Sequence, residues 1–486
     1  MPVQSGIALL LGLAIVLSLA PAIAHADKEG TPEADVVQIR ALLERRQFVQ
    51  LTALLRSYQA HCEQDIRWEL AVLDGFNVFA VAQPAYKDLL DEWVQSTPKS
   101  WVPLLARANY FISQGWRARG RKLAKDTSPE QFRRMEESFR LALPDIEAAL
   151  RINARLFYAY LLLMRISRSA GDQERGAVLA QKALEVSPDS YLVRAYHMVL
   201  LSPRWGGSYE AMQEFAAESL LHAAKNPLLR TLMGMVWADQ ADTERQDPQK
   251  AVALGEKALT YGETWDSLYS LAWAYYRAQI YDKAMATVER AVALYPRLPD
   301  HGLFAPNPVT AQELRSRILF RQEKWDAALE ALQILQQNGA RDTGDADEIR
   351  MWEGSQLVDK GHAAFKTDLG RAIELYTLAL RFDPDNAKAY YWRGIAYNRS
   401  GKPELAFDDL QKAIAINPHL YEAYKGLDDL LIKQGRLDEI IAAWDRLLQL
   451  EPDNAKAHME RGGHVLSQAG SRRSTSRCQE GLRAGA

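Results

Sequence analysis

Cysteine is nearly missing from this chain: Cys62 and Cys478 are the two among 486 residues. Two thiols so widely separated give no disulfide framework and no cysteine-rich metal site. Charge of one sign is missing too. Lys and Arg number 59 against 62 Asp and Glu, a net −3, which leaves no basic surplus for nucleic acid and no strongly acidic surface. After the first 26 residues no stretch is apolar enough to span a bilayer. Catalytic signatures are also missing: there is no phosphate-binding Walker loop, nucleophile elbow, dinucleotide glycine pattern or His-Glu-x-x-His pair. His458 and His464 fall on different faces of a helix. His61 and Cys62, as helical neighbours, cannot turn their side chains toward each other. The sequence therefore predicts no catalytic residue, no cofactor and no metal.

What is present begins with an apolar leader. Ile7 to Ala20 has the length of an export-signal core, and Ala24-His25-Ala26 follows with small residues suited to cleavage. The run from Gly6 to Ala24 is also close to the ~20 residues that cross a bilayer. Residues 1–26 are read as a signal peptide, with a retained anchor over 6–24 as the alternative. The expected location is the periplasm or the exterior, and membrane contact is expected only through that segment.

From Thr31 onward the periodicity is helical, with no convincing strand alternation. Glu33–Arg45 and Phe48–His61 form a predicted hairpin, with Val36, Val37, Ile39, Leu42 and Leu43 facing Leu51, Leu54 and Leu55. Ile66–Ala82 and Ala85–Gln95 follow. Ser128-Pro129-Glu130-Gln131 reads as a helix start, with Ser as N-cap and Gln completing a capping box. The helix it opens is expected to break at Leu143-Pro144. Pro299–Pro308 reads as a linker, Val309–Leu335 as a helix pair, and Asn338–Asp347 as a polar gap.

The densest pattern lies at Ala387–Pro418. Counting Ala387 as 1, Tyr390, Gly394, Tyr397, Ala406, Leu410, Ala413 and Pro418 occupy positions 4, 8, 11, 20, 24, 27 and 32, and Pro384, Pro418 and Pro452 recur every 34 residues. Small residues at 8, 20 and 27 let two antiparallel helices approach closely, and the large ones fill the space between pairs. This pattern resembles the tetratricopeptide repeat. Phe157–Pro188 is a degenerate unit of the same kind (Tyr160, Leu163, Met164, Gly176, Ala180, Ala183), and Trp265–Pro296 a better one (Leu268, Leu271, Ala272, Tyr275, Ala284, Val288, Ala291). The array begins near Gly354 after a one-residue deletion between its first two helices. A second resemblance covers residues 30–300. Leu201–Ser219, with its Pro-Arg-Trp-Gly-Gly-Ser run, and Trp101–Gly120 are similar to a bacterial domain family of unknown function. The expected architecture is an all-α helix-turn-helix solenoid, a tetratricopeptide-like superhelix. Its parts are an N-terminal helical domain over 27–300, the repeat domain over 309–470, and an atypical tail over 471–486. That tail is read either as disordered or as an out-of-frame continuation.

In the tetratricopeptide resemblance, positions 2, 5, 9, 12 and 13 line the concave face. These are Asp266, Tyr269, Trp273, Tyr276 and Arg277 in the Trp265 unit, Arg165 and Arg168 at 9 and 12 of the Phe157 unit, and Tyr391, Asn398 and Arg399 in the Ala387 unit. Such a surface suits an extended peptide or partner protein. It could equally stack sugar rings, or the aromatics could pack against the next repeat. A carboxylate clamp of Lys at 5 and Asn at 9 is not matched: position 9 is His362, Ile395 and Asp429, and Lys425 alone sits at 5. The Arg204-Trp205-Gly206-Gly207 loop is either an anion holder at a helix start or a tight connector with Trp205 plugging the layer below. A non-catalytic binding scaffold is the expected function. A cell-envelope carbohydrate binder, or an enzyme within residues 30–300, are the alternatives.

Overall fold

The computed structural model describes residues 32–80, 84–120, 126–294, 308–337 and 345–484. The candidate export segment, the proline-rich stretch up to residue 307 and most of the polar gap lie outside them. Among the described residues the regular elements are all helices. The chain divides into two compact units after Ala331.

The first unit opens with α1 (Val36–Glu44), α2 (Phe48–Gln64), a 3-10 turn (Ile66–Trp68), α3 (Glu69–Asn77), α4 (Pro84–Ser96) and α5 (Trp101–Arg119). Ile39 and Leu43 of α1 are buried against Leu51 and Leu55, but Val37 is 81% exposed. Two positions from Ile39 is a rotation of about 200°, which places Val37 on the opposite face. The expected single helix over Ile66–Ala82 is instead a 3-10 turn running into the shorter α3, with the Asp65 carboxylate accepting from the Arg67 backbone N–H.

The long α6 (Pro129–Ile152) starts at the expected capping box: Ser128 accepts from Gln131, and the Gln131 side chain returns to the Ser128 backbone. It does not break at Pro144. Met135, Phe139, Ala142, Ile146 and Ala149 form one buried stripe across the proline, and Asp145 just beyond it takes two 2.8 Å bonds from Arg107 of α5. Packing on both sides of the proline outweighs its lost backbone donor.

Continuing in order are α7 (Phe157–Ser169), α8 (Gln173–Val186), α9 (Tyr191–Leu200), α10 (Tyr209–Ser219), α11 (Leu232–Thr243), α12 (Pro248–Leu259), α13 (Trp265–Arg277), α14 (Tyr281–Leu294), α15 (Pro308–Arg321) and α16 (Trp325–Gln337). Ala311, Leu314 and Ile318 of α15 join the apolar core of α13 and α14. They thereby belong to the first compact unit, which ends at Ala331.

The second unit contains α17 (Asp345–Ala364), α18 (Leu369–Phe382), α19 (Ala387–Arg399), α20 (Pro403–Ile416), α21 (Tyr421–Lys433), α22 (Leu437–Leu450) and α23 (Ala455–Ala484). The repeat positions behave as their sizes require. A Cβ on Gly394 would lie 3.0 Å from Leu410 Cγ and 3.2 Å from the Ala406 carbonyl oxygen, so position 8 must be small. Ala406, Leu410 and Ala413 are fully buried, as is Trp444. The last helix, from Ala455, runs to Ala484. No proline follows Pro452 to stop it.

One backbone device recurs in both units. In the hairpins α1–α2, α7–α8, α13–α14, α15–α16, α19–α20 and α21–α22 the turn residue is left-handed: Arg46, Gly171, Gln279, Glu323, Gly401 and Gly435, with φ between 56° and 70°. The next amide donates back to the carbonyl five residues earlier in each, for example Lys402 to Tyr397 and Ile280 to Tyr275, both at 2.9 Å. This is the Schellman closure of a helix end. The α17–α18 turn, shortened by the one-residue deletion, closes instead with Asp368 donating to Ala364.

Candidate binding surfaces

α13 begins with a reciprocal cap between Thr264 and Ser267 that fixes its phase. Leu268, Leu271, Ala272 and Tyr275 are then buried, while Tyr269, Trp273 and Tyr276, rotated onto a second stripe, are half-buried. The stripe is a continuous ring contact: Trp265 stacks on Tyr269 at 5.6 Å, Tyr269 meets Trp273 edge-on at 6.4 Å, and Trp273 meets Tyr276 edge-on at 5.4 Å. The Tyr276 hydroxyl accepts from Arg321 Nε at 3.3 Å. Arg277 turns away and donates from Nη2 to the Ala241 carbonyl at 2.8 Å. Its guanidinium thus belongs to the α11 contact and not to the aromatic stripe.

Arg165 and Arg168 stand a turn apart on α7. Arg165 is buried and donates from Nη1 to Asn109 Oδ1 at 3.1 Å, and Asn109 in turn donates to the Phe76 carbonyl. Arg168 lies over three rings, Trp116 at 5.3 Å, Tyr196 at 5.1 Å and Trp205 at 5.2 Å. Trp205 is half-buried and meets Arg168 through a cation–π contact. The loop around it is a connector: Gly206 has φ 89°, and a Cβ on Gly207 would collide with the Leu201 carbonyl oxygen. Ser208 caps α10 by accepting from the Ala211 amide. Arg204 does not stand open for an anion, because Asp239 and Asp242 already take its guanidinium. Beside this loop lies a cleft of about 430 Å³ lined in part by Tyr209, Gln240, Thr243, Arg245 and Leu254. Glu244 on its wall is held down to about 2 by Lys250 and by the backbone N–H groups of Asp247 and Gln246.

In the second unit Tyr391 is half-buried and meets Trp392 at 5.0 Å. Trp392 also contacts His362 at 4.4 Å and Phe365 at 5.5 Å, and Arg399 lies over Phe365 at 4.7 Å. Asn398 is half-buried in the same helix. Trp392 sits at position 6 of its repeat, outside the groove positions, so the position rule missed it. The Tyr390-Tyr391-Trp392 run was the available signal.

A second grouping missed in the sequence joins residues 36 apart: Asp428 accepts from Trp444 Nε1 at 3.1 Å and pairs with His464 Nε2 at 2.9 Å. Asp428, Glu460 and His464 offer ligand atoms within 4.8 Å of one another. The Lys425 ammonium already supplies a cation there, 3.4 Å from Glu460 and 3.7 Å from Asp428. His458 points elsewhere, to the Pro452 carbonyl. The thiol of Cys62 is buried, and burial followed by the charges of Glu69, Glu63 and Asp65 pushes its pKa well above the ordinary range, which disfavours the thiolate. His61 stacks on Trp68 instead of serving it.

Stacked antiparallel helix pairs with shared apolar seams place the chain among the helical-repeat solenoids. Residues 387–420 match the family model described as tetratricopeptide repeat, residues 368–401 the one described as TPR repeat, and residues 241–299 a further tetratricopeptide repeat model. The small glutamine-rich tetratricopeptide repeat-containing protein 2 of Mycosarcoma maydis is 30% identical over 103 residues, covering 21% of this chain and 29% of that protein. Its namesake in Saccharomyces cerevisiae is 28% identical over 146 residues, covering 30% and 40%. The chain thus spans less than half the length of these relatives. Among solved structures, the TPR2AB domain of yeast Sti1 in complex with pHSP90 is 18% identical, with 46% of this chain and 95% of that one covered and a TM-score of 0.20. Among the described residues no helix is long and apolar enough to cross a membrane.

Proposed function

We propose that this chain is a non-catalytic scaffold that holds a partner protein or extended peptide against its repeat helices. The observation that carries the reading is the contrast on α13. One stripe is fully buried in the seam, while the adjacent Tyr269–Trp273–Tyr276 stripe keeps part of its aromatic surface in solvent. Half-exposed aromatics held rigid by their own ring contacts lose little entropy on gripping a ligand. Tyr391, Asn398 and Arg399 offer the corresponding surface in the second unit. An exported location, read from residues 1–26, makes an envelope partner the natural ligand class, and residues 30–300 are taken as part of the same scaffold.

The test is a crosslinking pull-down with the full chain from its native envelope fraction, comparing wild type with Trp273→Ala and Tyr269→Ala. Both variants are expected to lose the partner while their thermal unfolding shifts modestly. Full retention of every captured partner, or collapse of the fold in Trp273→Ala, counts against the stripe as a binding surface. Capture of glycan in place of protein moves the reading to carbohydrate.

A further inference from the structure

Arg107 and Arg194 show two ways in which the first unit accommodates a guanidinium drawn out of water. Arg107 is shared between Asp91 and Asp145, both at 2.8 Å. Arg194 donates to the Pro188 carbonyl and the Ser219 hydroxyl and has Glu218 at 3.7 Å. Arg165 and Arg168 are treated differently. Arg165, 8% exposed, makes one side-chain hydrogen bond, to the neutral amide of Asn109. The Arg168 guanidinium makes no hydrogen bond to a described residue, and its Nε is sealed from solvent without an acceptor. Neither arginine is within ion-pair distance of a carboxylate among the described residues. The groups whose charge acts on Arg165 are Tyr158, Tyr196 and the like charge of Arg168.

A buried cation one turn from a half-buried one, with no carboxylate beside either, is an unfavourable arrangement. Aromatic faces offset part of that cost for Arg168, but stacking occupies the faces of a guanidinium and leaves its in-plane N–H donors unused. The donors suit a planar or tetrahedral oxyanion, which arginine binds through paired N–H bonds. The arrangement also unites features that the repeat pattern does not use. Trp116 belongs to the Trp101–Gly120 stretch and Trp205 to the Pro-Arg-Trp-Gly-Gly-Ser run, and both converge on Arg168. Trp116, Arg168 and Trp205 are all half-buried, so one side of the cluster meets solvent.

We propose that Arg165 and Arg168 form a binding site for an oxyanion, a phosphoryl or carboxylate group, with Asn109 orienting Arg165 and the rings of Trp116 and Trp205 clamping Arg168 by its faces. The site deepens the scaffold reading, since both arginines occupy groove positions of their repeat. It is nevertheless tested without any partner, so either idea can fail alone.

The experiment uses the full chain, with inorganic phosphate and acetate as separate probes and chloride at matched ionic strength as the reference. Calorimetric titration and thermal unfolding are followed for wild type, Arg165→Met and Arg168→Met. Wild type is expected to bind with millimolar or tighter affinity and to melt about 1–3 °C higher in saturating anion. Both variants are expected to lose the binding heat and the shift. Arg165→Met, freed of an unpaired charge, is expected to melt at or above wild type without anion. If Arg165→Met fails to fold, the half-buried Arg168→Met decides alone. Of phosphate and acetate, the one giving the larger response identifies the oxyanion. No binding heat in wild type, or equal shifts in wild type and the folded variants, overturns the site.

Discussion

Leu410 in the second unit packs within a cluster running from Tyr390 to Ala457, so its neighbours are supplied by its own repeat and those beside it. Glu69 in the first unit works over a longer span. Its buried carboxylate accepts from the Ser190 hydroxyl at 2.6 Å, from the amides of Tyr191 and Leu192, and from Asn226 at 2.7 Å, groups 121 to 157 residues away. Burial pushes Glu69 up to about 7 even against those four donors. The second unit thus behaves as nearest-neighbour seams. The first adds polar ties that bypass neighbours, and its stability is less divisible into repeats.

The sharpest test of the local side is Trp444→Ala. Trp444 is fully buried between Tyr421 and Tyr424 and donates to Asp428, so its removal is expected to cost about 3–5 kcal/mol in urea unfolding. Hydrogen exchange should loosen chiefly α21 to α23. Loosening spread evenly through the chain would break the contrast. On the other side, Glu69→Ala leaves four donors without their acceptor and is expected to cost about 3 kcal/mol. Exchange should then rise both at residue 69 and around 190–226. A purely local change would place Glu69 among ordinary cap residues.

A smaller effect concerns His197, whose Nδ1 is buried without a partner while its ring meets Phe215 edge-on. Burial, then the charge of Arg194, lowers it from 6.5 to about 4. A folded pKa below the unfolded one means that the unfolded chain takes up the proton first. The stability linked to His197 is therefore fully present above about 6.5 and is lost as pH falls toward 4. Relative to His197→Phe, wild type is expected to lose about 2 kcal/mol between pH 7 and 4.5, read by denaturant titration at each pH. Equal pH slopes would remove His197 from the account. Smallest is Gly206→Ala: the left-handed φ costs an alanine about 1–2 kcal/mol, while the nearest obstruction is the flexible Gln173 side chain. A change below a few tenths would mean that the connector shifts freely.

The repeat architecture was legible because size alternation at fixed spacing states a local steric requirement. Gly394 and Leu410 meet where that spacing demands. The cap at Ser128 acts within three residues. Pro144 misled because the stripe from Met135 to Ala149 is a tertiary quantity, visible only once α5 is in place. The polar ties were hidden for a related reason. Nothing near Glu69 in the chain points to Asn226, and nothing near His464 points to Asp428. Of the candidate surfaces, the α13 stripe followed from helical angle alone. Arg277 and Arg204 depended on acceptors in α11 that no spacing could reveal.

The left-handed hairpin turns have a consequence for protein engineering. Three of the six sites carry glycine, whereas Arg46, Gln279 and Glu323 hold a branched backbone where a Cβ is unwelcome. Glycine there would remove roughly 1–2 kcal/mol of strain and return about 0.5–1 kcal/mol through a looser denatured chain. Each site is thus a modest reserve of thermal tolerance, tunable one hinge at a time without altering any surface discussed for recognition.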